Sequence, residues 1–499
     1  MTSARPVSGP RFAGWLLGAV ALALVLRAPF LLDPPEPDEA GYLLVARHWQ
    51  IGDPSLYGHF WVDRPPLLLL LYKTADTWGA HGVRILGCVA VAVLVLAAAA
   101  GTRAVTGRRA AGTSAVVAAA LGSSYALGAY AVDGELLAAA LVTTSCAATL
   151  WAVYRSSTPG LRFSAAVLAG IAGTAAVLTK QNFADALIFA IVLIVAQHLT
   201  RARDLEPLAP VLAGGLVGII GTLAAVLLWV AASGVGLGDL VYAAYGFRLD
   251  AATVIGRHGL NAPADRAGLL VLLALASGLA MLLVLFAWSS RHRLRAGHPV
   301  SWAVTAMIGF GVVGIVAGGS YWQHYLIQLV PAAALGAGLV APWAKWCTAF
   351  VVAASVAAAG VGTALGSLPG EPEASAVTTG HWLGRSSVHG DTVVVTYGHA
   401  NVVLESRLSS PYRYLWSLPT RVLDPHLALL TATLAGPHAP TWIVEWNDFD
   451  TWQIDDDGRL AAVVHDDYHR VASVCGHHVY LHNGLPRQTV PAAGPCGDI

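Results

Sequence analysis

The sequence predicts a polytopic α-helical membrane protein, with about eleven spans and a C-terminal water-soluble α/β domain. Three observations predict it. Of 499 residues, 56% are hydrophobic and only 12% charged, with a mean hydropathy of +0.62; soluble domains carry about 25% charged residues. Apolar runs of near-spanning length begin near residues 12, 83, 110, 135, 163, 183, 208, 267, 300, 322 and 347. Finally, the formal net charge of zero divides unevenly: residues 370–499 hold 7 Arg/Lys and 14 Asp/Glu, a balance of −7, which leaves +7 before them. Nothing in this balance points to nucleic acid.

The first run is long and more runs follow, so it reads as a first helix rather than a cleaved signal. Basic residues set the orientation. Arg5 and Arg11, then Arg103, Arg108 and Arg109, Arg155 and Arg162, Arg201 and Arg203, Arg291, Arg293 and Arg295, and Lys345 fall on one side when the N-terminus is cytoplasmic. The N-terminus is therefore expected inside, and the expected location is a bacterial inner membrane. The multi-pass membrane region is expected over 1–369, with long outer loops at 33–82 and 233–266, and the extracytoplasmic domain over 370–499. In the first loop, YLLVARHW and PPLLLLLYK read as interfacial helices.

In the C-terminal part, DTVVVTYG, PTWIVEW and ASVCGHHVYLH read as strands, and residues 422–435 as a helix. Cys88, Cys146 and Cys347 lie in apolar runs and read as packing. Cys475 and Cys496 are expected to pair if their compartment is oxidising.

Ionisable residues concentrate where the predicted topology puts the outer face. Asp33, Glu36, Asp38 and Glu39 follow the first span among three prolines, and Asp38 and Glu39 open a helical run. They read as a carboxylate site or as a helix cap. Asp63 and Arg64 precede a proline pair; Arg64 suits a bidentate phosphate clamp or a snorkelling side chain. Asp133 and Glu135 precede the fourth span. Lys180, in a turn with Gln181 and Asn182, is expected to bind phosphate or to pair with Asp185. Tyr245, Arg248 and His258 lie in the second outer loop, a candidate substrate lid. His324 and Tyr325 start the tenth span.

The segments PDEAGYLLVAR, DRPPLLLLLY, AVDGELLAAALV and LTKQN, with the weaker YWQHYLIQLVPAAAL, resemble motifs of the GT-C glycosyltransferases. The branch resembled is the protein O-mannosyltransferase-like one, which includes the lipid A aminoarabinose transferases, and the likeness covers roughly residues 12–345. It implies a GT-C-like membrane domain that moves a sugar from a polyprenyl-phosphate donor to a lipid, glycan or protein acceptor of the cell envelope, with inversion. It implies Asp38 and Glu39 as the catalytic pair, Asp38 first, and maps its acidic-basic-proline-proline element onto Asp63 and Arg64; Arg64 and Lys180 are the candidate cations for the donor phosphate. Many relatives carry lysine where Arg64 stands. A divalent metal accompanies some relatives and not others, so the cofactor stays open; Asp63, Asp133, Glu135 and His324 are the candidate supporting or metal-binding residues. The competing readings are a lipid or anion transporter or flippase, and a non-catalytic envelope scaffold. A transporter predicts broken spans paired across two halves, and no such internal symmetry is visible.

Overall fold

The computed structural model describes residues 9–200, 208–257, 261–340, 344–366, 372–491 and 496. His258, Arg5, Arg201 and Arg203 lie outside them. All eleven predicted runs contain helix, but the helices differ in reach. Among the described residues, seven are long and apolar enough to cross a membrane: Phe12–Phe30, Gly82–Val105, Gly134–Tyr154, Pro159–Thr179, Ala209–Ser233, Pro299–Ala317 and Lys345–Gly366. A further pair, Ala262–Ala276 and Leu279–Arg295, is apolar enough together but bent by 67°, as in a broken span or a re-entrant loop. The bend falls at Gly278, whose φ of +77° suits glycine. Shorter helices complete the set: Arg108–Gly122, Asp185–Thr200 and Val330–Leu339. Every residue of Val330–Leu339 is buried by its neighbours, so its apolar run reflects a protein core rather than a full lipid crossing.

The chain forms two compact units. The first comprises residues 1–32, 79–229 and 261–362, and carries most of the apolar helices. Small residues let those helices approach closely. A Cβ at Gly170, Gly214 or Gly218 would overlap backbone of the facing helix. Large apolar side chains point outward instead: Leu17, Ile220 and Val284 are all more than 60% exposed. In water such a surface would aggregate; in lipid it faces its own kind.

The second unit comprises residues 33–78, 230–260 and 363–499. Its sheet has four strands, β1 (Val393–Thr396), β2 (Trp442–Glu445), β3 (Tyr468–Val474) and β4 (His477–His482), in the order β1-β2-β4-β3. β1 and β2 run parallel, with Val394 beside Ile443; β4 is antiparallel to both neighbours. Val394, Ile443, Leu430, Leu434, Leu460 and Tyr468 meet in one buried core.

Two sequence expectations change here. ASVCGHHVYLH is not one strand but a hairpin, turned at Cys475 and Gly476 with φ of 52° and 83°. Two consecutive left-handed residues are what a tight hairpin needs, and a cysteine hides that signal. Residues 422–435 are not one helix either. One helix, Ser417–Leu423, ends before Pro425, and another, Ala428–Leu434, begins after it. The Asp424 carboxylate accepts from the N–H groups of Leu429 and Leu430 at 2.9 and 3.0 Å, capping the second. Cys475 and Cys496 form the expected disulfide, 5.3 Å apart at Cα.

Candidate active site

The prolines after the first span shape the acidic loop. Pro37 occupies the first turn of the helix Pro37–His48, where its missing N–H costs nothing. Glu36 is the N-cap. Its backbone N–H donates to Glu39 Oε2 at 2.9 Å, and its side chain accepts from the Glu39 N–H, a reciprocal capping box. Glu39 is fully buried in that role. Asp38, one residue earlier, is half-buried. Its Oδ1 accepts from Trp416 Nε1 at 2.7 Å, and among the described residues it makes no ion pair. The Trp416 ring lies 5.6 Å from the Tyr42 ring and against Gly41, where a Cβ would overlap the indole.

Asp63 and Arg64 sit in the same unit and are both nearly buried, 9% and 8% exposed. Asp63 Oδ2 meets Arg64 Nη1 at 2.7 Å and Arg248 Nη2 at 2.5 Å. Arg64 also lies over the Tyr42 ring, 5.5 Å from its centroid. The Tyr57 hydroxyl donates to the Arg64 carbonyl at 2.9 Å. Burial and the neighbouring Asp63 charge push the Tyr57 pKa up, so this hydroxyl stays a donor. Arg248 thus joins this cluster from the second loop. Tyr245, at 52% exposure, lies in a π-helical turn, Tyr242–Gly246, ahead of Arg248.

A third segment completes this arrangement, and the sequence reading missed it. Arg413 Nη2 donates to the Tyr57 carbonyl at 2.8 Å. The Trp61 N–H donates to the Arg413 carbonyl at 3.0 Å, and Trp61 and Tyr414 form a single parallel bridge. Residues 412–416, YRYLW, therefore run as a strap along the acidic loop. The dense aromatic and arginine content was the available signal.

The membrane unit holds a second cluster. Asp133 is the N-cap of the helix Gly134–Tyr154, and Glu135 is in its first turn. Lys180 ends the helix Pro159–Thr179 and pairs with Glu135, Nζ to Oε1 at 2.7 Å. The expected alternative partner, Asp185, is engaged elsewhere: it accepts from Gln328 Nε2 at 3.1 Å. Lys180 and Glu135 are drawn from neighbouring helices, whereas Asp185 opens the following helix behind Asn182, which itself binds Gln328. His324 lies in the 3-10 helix Gln323–Leu329, with Nδ1 3.2 Å from Asp133 and Nε2 3.7 Å from Glu135. Asp133, Glu135 and His324 each offer a ligand atom, all within 4.8 Å of one another. Arg27 and Arg84, which sequence reasoning passed over, bind the carbonyl of Tyr130 at 3.1 and 3.2 Å, steadying the turn that leads to Asp133.

No protein-family model and no curated protein matches this sequence. Solved structures do. The aminoarabinose transferase ArnT from Cupriavidus metallidurans, bound to undecaprenyl phosphate, superposes with a TM-score of 0.63 at 15% identity, over 97% of this chain and 99% of that one. The Archaeoglobus fulgidus oligosaccharyltransferase in complex with Zn and sulfate gives 0.56 at 14% identity, over 91% and 71%. The archaeal oligosaccharyltransferase AglB from the same organism, with an inhibitory peptide and a dolichol-phosphate, gives 0.50 at 13%, over 97% and 76%. At such identities the likeness establishes the fold, and on it this chain is a multi-pass membrane protein with the GT-C architecture of these glycosyltransferases.

Proposed function

We propose that this protein is a glycosyltransferase that moves a sugar from a polyprenyl-phosphate donor to an acceptor of the cell envelope, with inversion at the anomeric carbon. The observation that carries the reading is the state of Asp38. Asp63 is held by two guanidinium groups, Glu135 by Lys180 and Asp133 by His324. Asp38 alone of these four is half-exposed and held by a neutral donor. A carboxylate matched by a fixed cation is committed to that partner; one bound only by an uncharged N–H at one oxygen still has its other oxygen to take a proton.

In the proposed step the acceptor O–H attacks the anomeric carbon. A C–O bond forms to the acceptor as the bond to the phosphate oxygen breaks. The polyprenyl phosphate departs with the electron pair, and the acceptor proton passes to Asp38. Phosphate is a good leaving group, so no strong general acid is needed. Arg64 is assigned to the donor phosphate, its guanidinium fixed by Asp63, which Arg248 holds in turn. Lys180 is assigned as a further phosphate-binding cation. Glu39 is assigned to the helix start. The undecaprenyl and dolichol phosphates in the ArnT and AglB structures support the donor class.

The donor set Asp133, Glu135 and His324, two carboxylates and an imidazole, fits a divalent ion such as zinc. Such an ion would supply Lewis-acid stabilisation of phosphate charge. The Zn in one oligosaccharyltransferase structure is consistent with that chemistry. Lys180 already balances Glu135 in the same cluster.

The proposed setting is a bacterial inner membrane, N-terminus inside and residues 370–499 outside, in keeping with the basic-residue pattern. A membrane-impermeant thiol reagent should then label Ser409→Cys in intact protoplasts and miss Ala296→Cys; the reverse would invert the assignment. The function itself is tested by mass spectrometry of envelope glycolipids and glycoproteins with and without the gene. Loss of one sugar modification is expected, and an unchanged glycan inventory would contradict it.

A further inference from the structure

We infer that Trp416 is a positioning residue for transfer: its indole N–H fixes the Asp38 carboxylate by Oδ1 and leaves Oδ2 as the oxygen that takes the acceptor proton. The inference rests on the reading of Asp38 as the base. Its observations are separate. The Nε1 to Oδ1 distance is 2.7 Å, a short, charge-assisted bond. Indole nitrogen is a donor only and carries no charge, so it orients the carboxylate without neutralising it. Among the described residues, Oδ2 receives no hydrogen bond.

The donor is also held rigidly. Gly41 admits the indole only because it lacks a Cβ, and the Tyr42 ring lies beside it; both belong to the helix that Asp38 opens. Three residues before Trp416, the strap is pinned by the Trp61 N–H on the Arg413 carbonyl and by Arg413 on the Tyr57 carbonyl. A side chain clamped at its ring and at its backbone has little freedom left to lose when the reaction proceeds. The C-terminal region thereby supplies part of the catalytic apparatus.

The test is a double-mutant cycle on the full-length protein in nanodiscs, using a polyprenyl-phosphate sugar as donor. W416F removes the donor and keeps most of the ring. It should lower kcat by about 10- to 100-fold, the worth of a hydrogen bond to a charged group, with donor affinity and Tm little changed. G41A, which pushes the indole away while leaving it in the chain, should move kcat the same way. In the D38N background, W416F should add no further loss, because the bond it removes no longer serves a base. A W416F kcat within twofold of the parent, or losses that multiply with D38N, would overturn the inference. So would W416F and G41A proteins that purify only in unfolded form, since that assigns the indole to folding. Normal transfer by D38N itself would instead refute the reading of Asp38, a result distinguishable from all of these.

Discussion

The acidic cluster of the membrane unit and that of the second unit use the same residue types and treat charge differently. In the membrane unit, Glu135 is 2% exposed and locked to Lys180, while Asp133 is held by His324. Asp133, Glu135 and Lys180 come from the ends of apolar helices, where leaving a carboxylate unmatched would be expensive. In the second unit, three distant stretches converge: residues 37–64, Arg248, and the strap 412–416. There one carboxylate, Asp63, takes two guanidiniums, and another, Asp38, takes only an indole N–H. The contrast separates two uses of a carboxylate. On the proposed reading, a carboxylate paired with a fixed guanidinium or ammonium organises structure and electrostatics, and one bound only by a neutral N–H is the proton acceptor.

The comparison breaks most sharply at Lys180. Lys180→Met leaves Glu135 buried without its cation, which typically costs about 3–5 kcal/mol. The expected result is a large fall in thermal stability, with most of it restored in Lys180→Met/Glu135→Gln. A single variant as stable as the parent would show that the pair is not structural.

A smaller effect is expected at Asp391, in the soluble part of the second unit. Burial pushes its pKa up, but hydrogen bonds from Arg487 at 2.7 and 3.0 Å, with help from Val388 and Trp442, hold it below the ordinary carboxylate value. A carboxyl whose folded pKa is depressed stabilises the fold above its unfolded pKa. That stabilisation is lost as pH falls through the depressed value. Tryptophan fluorescence of unfolding, followed from neutral to acid pH, should show stability declining in the acid range. Asp391→Asn should lower the neutral-pH stability by about 1–2 kcal/mol and flatten the acid decline. An unchanged slope would remove this pair from the account.

Next comes Arg64, the cation assigned to the donor phosphate. Arg64→Ala should raise the donor KM by about tenfold, and Arg64→Lys by less, because lysine keeps a point charge. Equal losses would point to the planar fork over Tyr42 and beside Asp63 as the requirement; no loss in either would return Arg64 to a structural role. The smallest effect belongs to Glu39. Glu39→Gln keeps an acceptor for the Glu36 N–H, so kcat should change by less than about threefold and stability by under about 1 kcal/mol. A loss as deep as that of Asp38→Asn would make the pair jointly catalytic.

Much of this was legible in the sequence. Each apolar run marked a helix of the membrane unit, though the one near 267 holds two, and the motif residues Asp38, Asp63, Arg64, Asp133, Glu135, Lys180 and His324 fall into the two clusters. Periodicity could not separate full crossings from the buried helix Val330–Leu339, since both are apolar on all sides. Nor did local signals reveal Trp416, which reaches Asp38 across a separation of 378 residues. Lys180 left two partners open in sequence, and helix packing decided for Glu135. The Cys475–Gly476 turn stayed hidden because cysteine does not advertise a left-handed conformation.

The most direct test of the central claim is turnover of purified Asp38→Asn in nanodiscs, measured beside its binding of the polyprenyl-phosphate donor. Asparagine keeps the shape and still accepts from Trp416, but it lacks the basic oxygen. The account predicts a fall in kcat of about 10²–10⁴-fold with donor affinity intact. Near-normal transfer by that protein would contradict it, and would move the base to Asp63, Asp133 or Glu135.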